Sequence, residues 1–258
     1  MKQDFRDRVV MITGAGSGIG RQLAIVLARE GAKIGAIDIS LEGLDSLERQ
    51  LQTSRMAKAT GDVTDRNSIE KAVSSLEARL GPTDIMIANA GIGRETPAIC
   101  LDADLVNKHF RVNLEGVINS ISAVLPGMIQ RKSGQLVALS SLASYYGLPV
   151  MSAYCASKAA VSSMMDSFRV ELRSSGILCT TICPGWIDTP LTRSDKLSKL
   201  KKMSLEKAVD QMVAIIRNRK DYAAFPKGSN LFLLWLLRQM PKSVNDWLVG
   251  RAFKRLVR

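Results

Sequence analysis

The sequence predicts an α/β fold: one doubly wound parallel sheet in a single domain, with a C-terminal helical extension. Three observations lead there. Apolar runs of strand length alternate with segments of helical periodicity through most of the chain, the pattern of a parallel sheet covered by helices. The marked residues Asp38, Asp62, Asn89, Ser141 and Pro184 all fall at the carboxyl ends of the expected strands, where ligands bind in such sheets. A length of 258 residues with 46% apolar content suits one α/β domain with a sizeable core.

Arg8 to Thr13 reads as a buried first strand, because its Val-Val-Met-Ile run is continuous rather than alternating. It leads into Gly14-Ala15-Gly16-Ser17-Gly18-Ile19-Gly20 and then a helical pattern from Arg21 to Glu30. Strand, glycine-rich turn and helix in that order open a dinucleotide-binding unit of the Rossmann type. Its glycines let the backbone approach a pyrophosphate at the positive helix N-terminus. The spacing is G-x-x-x-G-x-G on Gly14, Gly18 and Gly20, with Ile19 where the more usual third glycine would stand. Lys33 to Asp38 is the second strand, and its terminal carboxylate can accept hydrogen bonds from both hydroxyls of an adenine ribose. The same charge repels a 2′-phosphate by about 1–4 kcal/mol per unit charge. No basic residue stands in the glycine loop to compensate, so NAD is expected over NADP.

The alternation continues through a helix from Leu41 to Gln52, a strand from Met56 to Thr60 ending at Gly61-Asp62-Val63, and a helix from Arg66 to Leu80. A strand from Asp84 to Ala88 precedes the turn Asn89-Ala90-Gly91, and helices follow from Asp102 to Arg131 with a kink near Asn113. Gln135 to Leu139 is a strand ending in Ser140-Ser141, and Ile177 to Ile182 is another, ending in Cys183-Pro184-Gly185. Between them lies a long helix bearing Tyr154 and Lys158, four apart and therefore on one face. An ammonium beside a phenol favours the phenolate, which should draw the Tyr154 pKa below about 10. A phenol so activated can trade a proton with a substrate oxygen near neutral pH.

These motifs together resemble the short-chain dehydrogenase/reductase family over residues 7 to 190. Thr13-Gly14-x-x-x-Gly18-Ile19-Gly20, with Ser17 inside it, is similar to the family's cofactor loop, Asp62-Val63 to its adenine-contacting pair, and Asn89-Ala90-Gly91 to its N-A-G turn. Tyr154-x-x-x-Lys158 resembles the active-site motif, Ser141 the serine that precedes it by 13 residues, and Asn113 the asparagine completing a tetrad. One departure is Ala88, where the family often has asparagine. The resemblance implies that Ser141 binds the substrate oxygen and that Tyr154 acts on it as general acid or base. Lys158 would lower the Tyr154 pKa and hold the nicotinamide ribose, while Asn113 would position a water leading to Lys158. Pro184 and Gly185 would form the nicotinamide-side turn, and Ile187 and Thr189 would hold the carboxamide. The family also pairs through the helices carrying Asn113 and Tyr154, so a homodimer or homotetramer is expected.

Composition excludes other chemistries. A single histidine, His109, leaves no multi-histidine metal site, and the four cysteines (Cys100, Cys155, Cys179, Cys183) have no metal-ligand spacing. No metal is expected. His109 reads as a helix-surface residue and the cysteines as buried, reduced thiols of a cytoplasmic chain. The N-terminus lacks an apolar signal-peptide core, and no apolar run approaches the roughly 20 residues of a membrane span.

The net charge of +12 is concentrated at one end: residues 1–189 hold 20 Lys/Arg against 19 Asp/Glu, and residues 190–258 hold 16 against 5. The chain thus divides at about 190, into a catalytic, cofactor-binding core over 1–190 and a lid, last strand and basic extension over 191–258. Arg193 to Lys202 is too polar for core and reads as a cover over the site. A helix should run from Ser204 to about Arg219, before a strand near Tyr222 to Phe225. Beyond the apolar run Leu231 to Leu237, Ser243 should cap a helix with Val244, Trp247, Leu248, Ala252 and Leu256 on one face and Arg251, Lys254, Arg255 and Arg258 around it. Such a helix suits either an anionic membrane surface, contacted through 228–258, or packing on a partner subunit or the lid. With a membrane at hand the expected substrate is a lipophilic alcohol or carbonyl, such as a sterol, retinoid or long-chain aliphatic. A 3-oxoacyl-thioester reductase docking an acidic carrier is a second enzyme reading, which Asp38 disfavours because such enzymes generally use NADPH. A non-catalytic cofactor sensor or nucleic-acid binder is the reading from another class. The complete tetrad and the lack of a nucleic-acid motif in the tail oppose it.

Overall fold

Successive strand residues feed two separate cores, one on each side of a sheet. Val10 and Ile12 point into one and Val9 and Met11 into the other; Ile85 and Ile87 oppose Met86 and Ala88 in the same way. This two-residue alternation between two apolar layers is why the strands read as unbroken hydrophobic runs. The computed structural model describes residues 3–192, 202–226 and 240–257. Its seven strands are β1 (Val9–Thr13), β2 (Lys33–Asp38), β3 (Met56–Thr60), β4 (Ile85–Ala88), β5 (Gly134–Leu139), β6 (Ile177–Pro184) and β7 (Tyr222–Phe225), paired in parallel in the order β3-β2-β1-β4-β5-β6-β7. The helices among the described residues are α1 (Gly18–Arg29), α2 (Leu41–Leu51), α3 (Arg66–Leu80), α4 (Ala103–Phe110), α5 (Gly116–Arg131), α6 (Ser152–Glu171), α7 (Leu205–Arg217) and α8 (Lys242–Val257).

One face is covered by α1, α2 and α7, through Leu23, Leu27, Leu44, Leu47, Val209 and Met212. The other is covered by α3, α5 and α6, through Ile69, Leu76, Val117, Ile121, Val161 and Met165. Residues beyond 190 thus complete the same sheet and core, β7 against β6 and α7 against α1. Side-chain caps hold several helix starts: Ser40 on α2, Asp65 on α3, Asp102 on α4 and Ser204 on α7 each accept from a backbone N–H, worth about 1 kcal/mol apiece. Ser17, at the start of α1, makes no such bond. The first amides of α1 are therefore left without a side-chain acceptor.

The kink expected near Asn113 is a π turn, Arg111–Glu115, joining α4 to α5, and π turns inside helices cluster at functional sites. By length and composition the continuous segment Ala103–Arg131 is apolar enough to cross a bilayer, yet here it packs on α3 and α6. Three sequence expectations are corrected. His109 is fully buried, not a surface residue: its Nε2 accepts from the Arg94 N–H at 3.0 Å and its Nδ1 donates to the Leu105 carbonyl at 2.8 Å. Cys155, Cys179 and Cys183 are buried and free as expected, but Cys100 is exposed. The cover at 193–201 and the apolar run at 231–237 lie outside the described residues. The last helix begins at Lys242, so Ser243 lies within it rather than before it.

Candidate active site

Strand order reverses between β1 and β4. From β1 the chain builds outward to β2 and β3, then returns to start β4 on the other side, which opens a crevice at their carboxyl ends. The glycine turn after β1 and the Asn89 turn after β4 are bound together there. Asn89 Nδ2 donates to the Thr13 carbonyl at 3.0 Å and the Gly14 carbonyl at 3.3 Å, and Thr13 Oγ1 accepts from the Asn89 N–H at 3.2 Å. Asn89 and Thr13 thus support the turn themselves, so alanine at position 88 leaves it braced.

Two glycines are required by geometry. Gly14 has φ +69°, a left-handed conformation that side chains disfavour. At Gly20 an added Cβ would lie 2.2 Å from the Gly14 carbonyl oxygen and 2.5 Å from Asn89 Nδ2. Gly20→Ala should therefore destabilise the protein by about 1–3 kcal/mol and weaken dinucleotide binding as the turn is pushed open. Urea unfolding and dinucleotide titration of the same variant check both effects.

Asp38 ends β2 at the rim, with Oδ2 accepting from the Gly16 N–H at 2.8 Å and Oδ1 from the Ser40 N–H at 2.9 Å. Each carboxylate oxygen keeps a further lone pair for a ligand hydroxyl. Asp62 accepts from the backbone and hydroxyl of Thr64 at 2.8 Å. Arg21, the cation nearest in sequence to the glycine turn, is engaged by Ser46, Gln50 and the Gly43 carbonyl.

On the far side of the crevice, Tyr154 and Lys158 project from α6. The Ser141 hydroxyl stands beside the Tyr154 phenol, donates to the Pro184 carbonyl at 3.4 Å and accepts from the Ala143 N–H at 3.1 Å. Lys158 Nζ lies 5.9 Å from the Tyr154 ring centroid and donates to the Leu139 carbonyl at 2.8 Å. Asn113, fully buried in the π turn, accepts from the Ile92 N–H at 2.8 Å through Oδ1 and donates through Nδ2 to the Ile92 carbonyl and Ser157 Oγ, both at 3.0 Å. Both amide hydrogens are therefore committed. The Asn113 side chain thus clamps the turn after β4 to the residue before Lys158.

Burial sets the protonation energetics. It raises the Tyr154 pKa, and the Ser141 hydrogen bond pulls it back only in part. The expected lowering by Lys158 is thus overturned in this structure. The first cause is desolvation of the phenol itself; Lys158, 4% exposed and with its own pKa lowered by burial to about 8, directs its Nζ to the Leu139 carbonyl, 5.9 Å from the ring centroid. An ammonium held by a backbone carbonyl in a desolvated site does less for the phenol than desolvation takes away.

A cleft of about 1530 Å³ joins these parts. It is lined by Gly14, Ser17, Gly18, Ile19, Asp38, Asp62 and Val63 on one side, by Asn89, Ala90 and Gly91 along the floor, and by Ser141, Tyr154, Lys158, Pro184, Gly185, Ile187 and Thr189 on the other. Gly20 and Asn113 stand behind the wall and shape it. Sequence reasoning missed the supports: Ser157, which holds Asn113, and Thr192, whose hydroxyl binds the Ile187 carbonyl and accepts from the Thr189 N–H. No motif marked them, because their partners come from other segments or across a loop. Near Tyr154 the wall is apolar, with Ile92, Leu142, Leu148, Met151, Trp186 and Leu191. The residues present fit a nicotinamide dinucleotide: α1 has a start without a side-chain cap beside the glycine turn, and a carboxylate stands at the ribose end.

A family model described as short chain dehydrogenase matches residues 8–199. An uncharacterized oxidoreductase of Myxococcus xanthus is 38% identical over 251 residues, covering 96% of this chain and 97% of that protein. A 3-oxoacyl-[acyl-carrier-protein] reductase, FabG, of Thermotoga maritima is 36% identical over 187 residues, covering 72% and 76%. Among solved structures, a gluconate 5-dehydrogenase from Burkholderia cenocepacia in complex with NADP and tartrate aligns with a TM-score of 0.79 at 28% identity, over 86% of this chain and 95% of that one. A short chain dehydrogenase/reductase from Burkholderia phymatum in complex with NAD shares the fold, with a TM-score of 0.79 at 23% identity over 86% and 90%. With the family's match running across the sheet, the glycine turn and the Tyr154–Lys158 helix, the chain belongs to the short-chain dehydrogenase/reductase family of NAD(P)-dependent oxidoreductases.

Proposed function

We propose that the protein is an NAD-preferring dehydrogenase or ketone reductase for a lipophilic secondary alcohol or its carbonyl, with Tyr154 as general acid and base. The observation that carries this reading is the Ser141 hydroxyl set beside the Tyr154 phenol, opening onto an apolar wall in a dinucleotide-sized cleft. A nicotinamide dinucleotide, when bound, supplies or accepts the hydride. The chain's own residues do the rest. Ser141 Oγ and Tyr154 Oη hold the substrate oxygen from two sides, and in reduction the phenol delivers a proton to it as the carbonyl carbon is reduced. In oxidation the phenolate takes that proton back. Lys158, a partly retained cation below the ring, stabilises the phenolate that reduction leaves, and Asn113 holds the turn against which the substrate rests.

Asp38 supports NAD, since a carboxylate at the end of β2 would repel a 2′-phosphate there and Arg21 is already engaged. The apolar wall supports a hydrophobic substrate. A series of secondary alcohols assayed with NAD should show kcat/KM rising roughly fourfold per added methylene until the wall is covered, at about 0.8 kcal/mol each. Asp38→Ser should raise the NADP-to-NAD ratio of kcat/KM by about tenfold or more as the like-charge repulsion goes. A wild-type preference for NADPH, or rates insensitive to chain length, would sink this reading. The identity with the Thermotoga reductase and the basic C-terminal quarter favour a second reading, a 3-oxoacyl-thioester reductase; NADPH-dependent reduction of a 3-oxoacyl thioester would select it.

A further inference from the structure

We propose that α8 is a docking surface for an anionic membrane. Val244, Trp247 and Arg251 follow one another at three- and four-residue steps on this helix and so share one stripe. All three are exposed, Trp247 at 60% and Val244 at 45%. The Arg251 guanidinium lies 5.4 Å from the Trp247 ring. Cation and indole therefore occupy one patch, a pairing that suits the depth where lipid phosphates meet hydrocarbon.

Asp246 lies off that stripe and is itself exposed. Asp246 accepts from the Tyr146 hydroxyl at 3.5 Å, and Tyr146 lines the cleft. The helix that carries the exposed stripe thus touches a residue of the cleft lining, so a bilayer on α8 would lie close to the cleft.

Charge selects the occupant. Residues 242–258 hold five Lys/Arg and one Asp, within a segment 190–258 that holds 16 basic residues against 5 acidic. A second copy of the chain is the poorer partner, because a two-fold contact would bring two such segments together and the first 189 residues, with 20 basic and 19 acidic groups, offer no compensating net charge. An anionic bilayer supplies negative phosphates for the guanidinium and an apolar layer for the indole and valine.

The test is sedimentation of the full chain with phosphatidylcholine vesicles, with and without phosphatidylglycerol, at low and high salt. Its readout is independent of turnover, so it stands or falls apart from the catalytic reading. The expected result is partitioning about tenfold or more in favour of the anionic vesicles, lost in high salt. Arg251→Glu, a change of two charge units, should lower it roughly thirtyfold, and Trp247→Ala should lower it at either salt concentration. Far-UV circular dichroism and the thermal midpoint, unchanged in both variants, establish that they are folded. Equal binding to neutral and anionic vesicles, or pelleting of Arg251→Glu at the wild-type level, would overturn the proposal. So would a fall in solution mass of either variant without lipid, which would assign the stripe to a second copy.

Discussion

Tyr154→Phe is expected to lower kcat by about a thousandfold in both directions, with dinucleotide affinity within a few-fold of wild type. The substitution removes one oxygen and leaves the ring that packs beside Gly93 and lines the cleft. What would be lost is the phenol proposed to share a proton with the substrate oxygen, beside the Ser141 hydroxyl. Because Ser141 still holds the substrate, KM for the alcohol should move far less than kcat. The pH dependence of the wild type separates this role from a merely structural one. Burial raises the Tyr154 pKa, so the phenol stays protonated across the neutral range, as an acid in carbonyl reduction must. Oxidation needs the phenolate, so its rate should climb with pH through the neutral and alkaline range while the reductive rate stays level and then declines. Steady-state kinetics of both directions across pH, on wild type and Tyr154→Phe, checks this. A variant retaining a tenth or more of wild-type kcat would remove Tyr154 from the chemistry.

Lys158→Met should abolish measurable turnover and at the same time stabilise the fold by about 1–3 kcal/mol near neutral pH. Burial lowers the Lys158 pKa from 10.5 to about 8, so keeping the ammonium inside the protein is unfavourable below pH 8. The lost hydrogen bond to the Leu139 carbonyl subtracts from the gain but does not cancel it, since a neutral buried acceptor costs less than a buried charge. The sign with pH follows from proton counting. Between about pH 8 and 10.5 the unfolded chain holds the Lys158 proton and the folded chain has released it, so wild-type stability rises with pH across that window. The advantage of Lys158→Met should therefore be largest below pH 8 and shrink toward pH 10.5. Urea unfolding of both proteins at pH 7 and near pH 10 measures it. An advantage that stays constant across the window would mean that the lysine is not the titrating group.

The order of the elements was legible from composition along the chain. Helix α3 and strand β2 have the bounds their patterns imply, because a parallel strand buried on both faces is nearly continuously apolar and a helix packed on the sheet carries one apolar stripe; β3, Met56–Thr60, is an edge strand with Lys58 inside it and has the bounds expected. The glycine turn, Asp38, Asn89, Ser141, Tyr154 and Lys158 were legible for another reason: each serves a strand end or a helix face, and those positions are local in sequence. His109 was misread because an imidazole on a helix looks the same in sequence whether it faces water or the Arg94 backbone that a remote loop brings to it.

By itself, then, the sequence determined the sheet, its helical cover and which side chains gather at the carboxyl edge, all of which depend on short-range patterns. Only the tertiary structure decided how those side chains behave. The clamp of Asn113 on Ile92 and Ser157, and the burial that raises the Tyr154 pKa and lowers that of Lys158, depend on segments far apart in the chain. A pKa is set by what surrounds a group in space, and four residues of helical spacing say nothing about how much water has been taken away.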